Sequence, residues 1–191
     1  MTSKNRSWAA RLGIAALSLV GATLIVAGGI YGWVQSGGNV HVLANGLIVR
    51  SAQPTGARLD EFVHRYGVKS VLNLRGDNTG KDWYDTEMRT AKADGLVHYD
   101  VALSAEHEVS PAKLDEVMAI VAAAPKPLLI HCNAGADRTG LVSAVYEFTQ
   151  GASLDDAHRQ LSLEFGHFPY LWSKTGAMDR SLAAYVAARR R

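Results

Sequence analysis

Between Pro127 and Gln150 the chain runs from an apolar segment through a short glycine-bearing loop into a helical pattern, and this junction limits the available folds more than any other stretch. Pro127-Leu128-Leu129-Ile130 is an unbroken apolar run of the kind that suits a strand buried on both faces. It is followed by His131-Cys132-Asn133-Ala134-Gly135-Ala136-Asp137-Arg138-Thr139-Gly140, and then by a helical pattern from Leu141 to Gln150. At the start of a helix the first N–H groups have no partner within it. When a strand feeds the helix through a tight loop, those donors converge on one point and form a socket for a tetrahedral oxyanion. Cys132 stands at the base of that socket and Arg138 at its rim.

The residue types then point to a chemistry. Cys132 is the only cysteine among 191 residues, and a thiol beside a helix N-terminus and a cation is favoured as thiolate. A thiolate placed under a bound phosphate can attack phosphorus and form a phosphocysteine, which water then cleaves. Arg138 supplies a permanently charged planar fork that grips two phosphoryl oxygens. Gly135 and Gly140 permit backbone geometry and close approach that a side chain would obstruct. Thr139 can donate a hydroxyl hydrogen bond to the departing sulfur, and His131 is expected to brace the loop.

This stretch resembles the His-Cys-X5-Arg-Ser/Thr-Gly signature of the cysteine-dependent protein tyrosine phosphatase superfamily, nearest its dual-specificity and bacterial tyrosine/serine phosphatase-like branches. Arg50-Ser51-Ala52-Gln53-Pro54 and Val71-Leu72-Asn73-Leu74-Arg75 fit the same branch. The resemblance implies an α/β fold, a central sheet flanked by helices. It also implies Cys132 as nucleophile, Arg138 as phosphate binder and the amides from Asn133 through Ala134, Gly135 and Ala136 to Arg138 as the cradle. Thr139, next to Gly140, would assist breakdown of the phosphoenzyme, and the mechanism needs neither metal nor other cofactor. The implied substrates are phosphotyrosine or phosphoserine in a phosphoprotein, or a phospholipid. Ala136 occupies a position where phosphoinositide phosphatases often carry lysine.

The leaving oxygen needs a proton, usually from a carboxylic acid. Asp137 is the favoured donor, since similar phosphatases with Asp-Arg at this point use it so. Glu106 and Glu108, in the loop after the expected strand Val97–Leu103, and Asp100 are the other candidates; alternatively Asp137 only orients Arg138. Rival functions are a phospholigand-binding pseudophosphatase and, further off, a rhodanese-like sulfurtransferase. The Arg-Thr-Gly ending argues against the sulfurtransferase, and the absence of further cysteines argues against a small arsenate reductase.

The N-terminus has its own character. Leu12 to Val34 is 23 residues without a charge; as a helix it would extend about 34 Å, enough for a bilayer core of about 30 Å. Lys4, Arg6 and Arg11 precede it, and no Lys or Arg follows until Arg50. The expectation is an uncleaved single-pass helix with the N-terminus cytoplasmic and the catalytic body on the periplasmic or extracytoplasmic side. A signal peptide would have a shorter apolar region and a small-residue cleavage site. Gly28 and Gly32 have the Gly-X-X-X-Gly spacing of a helix-dimer face, which makes a weak homodimer an expectation. The chain thus divides into a basic segment 1–11, a span 12–34, a linker 35–39 and a phosphatase domain 40–191.

Charge excludes one class of partner. Six of the 20 basic residues lie at the two termini, leaving 14 against 18 acidic ones, a formal −4 for the body. A nucleic-acid binder would carry a basic face instead. Asn45-Gly46 marks a hairpin between His41–Ala44 and Leu47–Arg50. Further strands are expected at Ser70–Leu74, Val97–Leu103 and Leu128–Cys132. Helices are expected at Leu59–Tyr66, Asp82–Ala93, from Pro111 to about Ala124, at Arg138–Gln150, at Ser153–Glu164 and from about Ser173 to Ala188. Arg50 and Arg75 are candidates to approach the phosphate, although exposed or strand-capping arginines are commoner, and Asp77 and Asp82 are candidates to rim the pocket. His98, His107, His158 and His167 lack metal-ligand spacing. Gly166-His167-Phe168-Pro169-Tyr170 breaks the helical pattern and reads as a packed turn or a groove wall.

Overall fold

The computed structural model describes residues 8, 11, 13–23, 28–29, 32, 37–43 and 46–189. The chain divides into two units, Met1–Ser36 and Gly37–Arg191. In the first, residues 13–23 are helical. Among the described residues no helix is long and apolar enough to cross a membrane. The span expected over 12–34 therefore has no support from the structure, and part of it lies outside the described residues.

The second unit is built on a five-stranded sheet. Its strands are β1 (His41–Leu43), β2 (Ile48–Ser51), β3 (Ser70–Asn73), β4 (Val97–Asp100) and β5 (Leu128–His131), in the order β1-β2-β5-β3-β4. β1 pairs antiparallel with β2, and the other pairings are parallel. The helices are α1 (Gly56–Tyr66), α2 (Asp82–Ala93), α3 (Pro111–Ala123), α4 (Asp137–Thr149), α5 (Leu154–His158) and α6 (Ala177–Arg189).

Alternation along β5 distributes the core. Leu128 and Ile130 face one side, where Val117 and Val121 of α3 and Val142 and Tyr146 of α4 cover them. Leu129 faces the other side, with Val49 and Val71, under Leu59 and Phe62 of α1 and Ala91 of α2. Both faces are buried, which is why the parallel strands lack polar alternation. Beyond the first face, α5 and α6 add a second helical layer around Leu141, Ala144, Val145, Leu161, Met178 and Leu182. The α/β architecture with flanking helices is the one expected.

Local chemistry sets the helix ends. Thr55 accepts from the Arg58 amide at the start of α1, and Gly67 closes that helix at φ 67°. Ser110 caps α3, with Pro111 in the first turn. Several expectations need correction. Helix α1 begins at Gly56, three residues before the expected Leu59, because Thr55 caps it. The Val97–Leu103 strand stops at Asp100, because β3 turns away after Asn73; only the Val101 and Leu103 amides still reach Asn73 and Leu74 carbonyls. The helix expected over Ser153–Glu164 ends at His158, and the chain re-forms only as a 3-10 turn at Leu163–Phe165. The Gln160 carbonyl is taken there by Arg50 Nη1 at 3.1 Å. The last helix starts at Ala177 because Ser173 and Thr175 bond one another in a side-chain turn.

Candidate active site

β5 is the central strand, and Cys132 follows its C-terminal end, where open α/β sheets place their ligands. The cysteine is 2% exposed. The loop above it is tied down from outside through its carbonyls. The Gln53 amide donates to Asn133 O at 3.0 Å, Asn39 Nδ2 to Ala134 O at 3.0 Å and Arg50 Nη2 to Gly135 O at 2.7 Å. In a planar trans peptide the next N–H points opposite to the carbonyl. Three anchored carbonyls in succession therefore turn the amides of Ala134, Gly135 and Ala136 toward the opposite side of the loop. Helix α4 then starts at Asp137 without a side-chain cap, leaving its first-turn N–H groups available to an anion.

Two glycines make this path practicable. Gly135 has φ +71°, and a Cβ there would lie 2.6 Å from backbone atoms of Ser51 and Ala52. A Cβ on Gly140 would lie 2.7 Å from Gln160 O, so α4 packs directly on that segment.

Arg138 projects from the first turn of α4, and its Nη1 donates to Leu74 O at 3.4 Å and Leu103 O at 3.3 Å. Carbonyls beyond β3 and β4 thus fix one edge of the guanidinium. Its Nε is buried and without a partner among the described residues, as is the hydroxyl of Thr139. A buried donor left unpaired is costly unless a ligand satisfies it.

The other arginines divide. Arg50 is fully buried, gripping Gly135 O and Gln160 and lying 4.0 Å from the Phe165 ring centroid. Burial lowers its pKa to about 10, against the nearby Cys132, Glu147 and Glu164, which raise it. Arg50 is a prop behind the loop rather than a phosphate contact. Arg75 stacks 3.6 Å from the Trp83 ring centroid and donates to Gln53 Oε1. Burial lowers its pKa and so does the neighbouring Arg138, while Cys132 and Glu87 act in the opposite direction. Of the two, Arg75 is the one beside the socket.

Two buried networks flank the loop. Beneath it, His131 Nε2 lies 3.2 Å from Glu87, which also bonds His98 Nε2 at 2.8 Å and accepts from Gln53 Nε2 at 2.6 Å. Burial opposes the Glu87 charge, but the hydrogen bonds from His131 and His98 overcome it and bring the carboxyl to about 2. Beside the loop, Asp137 Oδ1 is 2.7 Å from His167 Nδ1, and His167 Nε2 is 3.0 Å from Asp179 Oδ2. The bond recorded for Asp137 is thus to His167.

The remaining carboxylates expected near the site have partners elsewhere. Glu106 pairs with Lys174 and Glu108 with Arg180, both at the surface. Asp100 accepts from Tyr84 and Asn73. Asp77 is exposed and caps Thr79, which lowers its pKa, and Asp82 opens α2.

The sequence pattern did not single out Asn39, Gln53, Glu87 or Asp179, and it placed His167 only in a packed turn or groove wall. For Glu87 a signal existed: Tyr84, Glu87 and Ala91 lie at helical spacing on one face of α2, and all three are buried. Nothing in the pattern around His167 predicts its partners, which come from α4 and α6.

A family model described as DSP-PTPase phosphatase fused to NAD+ kinase matches residues 27–175. No curated protein matches the chain. Among solved structures it resembles TpbA of P. aeruginosa in complex with phosphotyrosine, with a TM-score of 0.59 and 21% identity over 78% of this chain and 91% of that one. It also resembles the catalytic core of the PP-IP phosphatase SIW14 of S. cerevisiae, at 0.56 and 24% identity over 80% and 92%. PTPMT1 in complex with PI(5)P gives 0.54 and 16% identity over 78% and 98%. These structural likenesses bear on the fold. The family match spans well over half the sequence, and the chain therefore belongs to that family of dual-specificity-type cysteine phosphatases, enzymes that hydrolyse phosphate monoesters.

Proposed function

We propose that the chain is a membrane-anchored phosphatase that hydrolyses lipid phosphate monoesters through a phosphocysteine on Cys132. One observation carries the chemistry: buried Cys132 ends the central strand, the carbonyls of the loop after it are bonded from outside, and Arg138 in the first turn of α4 has a buried Nε without a partner among the described residues. Cys132 Sγ attacks phosphorus, and the ester oxygen leaves with a proton from Asp137. The amides and the Arg138 fork hold the three equatorial oxygens where charge accumulates. Water then attacks the phosphocysteine, and Thr139 donates its hydroxyl to the departing sulfur.

The membrane and lipid parts rest on three supports. The uncharged 12–34 segment follows three cations, which favours an N-terminus on the cytoplasmic side and the catalytic unit beyond the bilayer. Next to His167 in sequence, Phe168, Tyr170, Leu171 and Trp172 are exposed, Trp172 by 88%, and aromatic residues of this kind favour bilayer interfaces. A structural relative was also solved with PI(5)P. The relative solved with phosphotyrosine favours the second reading, a phosphoprotein substrate.

The test compares phosphate release by the full chain from vesicle-borne lipid phosphates and from soluble phosphopeptides. Lipid turnover should be the faster, and Cys132→Ser should abolish both. Acid quenching should trap phosphate on the wild-type chain alone. Equal or faster turnover of phosphopeptides would sink the lipid assignment, and turnover surviving in Cys132→Ser would sink the mechanism.

A further inference from the structure

A carboxyl with an ordinary pKa of about 4 carries almost no proton at neutral pH, yet the leaving oxygen must receive one. The surroundings of Asp137 supply what an isolated aspartate lacks. Its Oδ1 lies 2.7 Å from Nδ1 of His167, whose ring is fully buried and whose Nε2 lies 3.0 Å from Asp179 Oδ2. Asp179 Oδ1 in turn lies 2.9 Å from Nε2 of His158, which is half exposed. The Asp137 side chain keeps 22% of its surface open. A line of four titratable side chains therefore starts at the socket and ends in solvent.

Resting on the phosphatase reading above, we propose that Asp137 and His167 form one proton-donating unit, with Asp179 holding the imidazole, and that this unit protonates the leaving group. His167 touches no reacting atom and acts through Asp137, so it is a positioning residue.

The groups facing His167 are Asp137 from α4 and Asp179 from α6. His158 of α5 stands behind Asp179, and Arg138 follows Asp137 in the chain. Burial disfavours the imidazolium, but the hydrogen bonds to Asp137 and Asp179 outweigh it and raise the His167 pKa above 6.5. The two carboxylates flanking the ring therefore favour a proton on the imidazole between them.

The step balances. As the S–P bond forms and the P–O bond breaks, Asp137 transfers a proton to the ester oxygen, which leaves as an alcohol. That proton is the one shared with His167 Nδ1, so the unit ends one proton poorer, as Asp137 carboxylate and a neutral His167 imidazole that keeps its Nε2 proton toward Asp179. In the second step the attacking water gives up a proton to the same unit, the S–P bond breaks, and phosphate and the thiolate are released.

The experiment measures kcat/KM against pH for phenyl phosphate and 2,4-dinitrophenyl phosphate with the full chain, His167→Asn and Asp179→Asn. Asparagine can keep a bond to Asp137 but cannot store the proton. At pH 7, His167→Asn should slow the phenyl ester by roughly 100-fold, within the usual range for general acid catalysis, and slow the dinitrophenyl ester by less than about 3-fold. The alkaline limb of the phenyl profile should move to lower pH in both variants, further in His167→Asn. Turnover of the dinitrophenyl ester shows that each variant is folded. Equal slowing of both esters, or an unmoved alkaline limb, overturns the proposal and leaves His167 a structural residue. Failure of the phosphatase reading would differ: the wild-type chain would show no Cys132-dependent turnover of either ester.

Discussion

Replacing Glu87 by glutamine tests the claim that the socket is held from beneath by a buried carboxylate. The side chain is fully buried among His131, His98 and Gln53, and its carboxyl falls from an ordinary 4.5 to about 2. Each tenfold change in proton affinity is worth about 1.4 kcal/mol, so the ionised form is bound in the folded state by about 3 kcal/mol. Because the folded value lies below the unfolded one, this contribution is complete above pH 4.5 and disappears as pH falls toward 2. Urea unfolding followed by tryptophan fluorescence should show Glu87→Gln less stable by about 3 kcal/mol at pH 7 and by about half that at pH 3. Activity should fall as well, because His131, which Glu87 holds, lies with Nδ1 3.3 Å from Cys132 O. A stability difference that is the same at pH 7 and pH 3 would refute the charge argument. A variant as stable as wild type at both would show that the buried carboxylate stabilises nothing.

Two further substitutions probe the loop and its rim. Gly135→Ala should cost about 1–2 kcal/mol for the left-handed backbone alone, and the contact of its Cβ with Ser51 and Ala52 backbone should displace the amides and lower kcat/KM about 100-fold; near-normal kinetics would mean that the loop needs neither the positive φ nor the close approach. Arg75→Ala should raise KM for a dianionic ester about 3- to 10-fold with kcat little changed, the pattern of lost uniform binding, and an unchanged KM in steady-state assays would remove Arg75 from the phosphate's surroundings.

What could be read from the sequence follows from the range of each interaction. The Cys132 loop was legible because its parts are contiguous: a strand, two glycines and a helix start fix one another within about ten residues. The antiparallel pairing of β1 with β2 and the start of α3 at Pro111 are local in the same sense; Asn45, in the expected turn, lies outside the described residues. Arg50 is the opposite case. From the sequence it stood between an exposed or strand-capping arginine and, less commonly, a phosphate contact, yet the fold closes Gln160, Phe165 and Gly135 around it and turns it into a buried strut. The same contact takes the Gln160 carbonyl beyond the helix that begins at Leu154, which ends at His158 rather than at the expected Glu164. Asp137 could be singled out from its place in the motif, but its partner lies 30 residues further along the chain.

These long-range contacts bear on how ready the site is before substrate arrives. A loop that must gather amides around a phosphate would pay an entropic cost at binding unless it is already shaped. Here its carbonyls are bonded by Gln53, Asn39 and Arg50, three groups N-terminal to β3, while its two ends are held by His131 on Glu87 and by Asp137 on His167. The loop bonds from Gln53, Asn39 and Arg50 are made to its carbonyls, not to its amides. Binding therefore requires little rearrangement; Arg138 Nε and the Thr139 hydroxyl, like Arg50 Nε behind the loop, are buried donors without a partner among the described residues. The arrangement separates two tasks by element: β2, α2 and the segments beside them fix the shape, while β5 and α4 carry the chemistry. Substitutions among the struts should change stability and rate together, and those at Arg138 or Thr139 should change rate with little loss of stability.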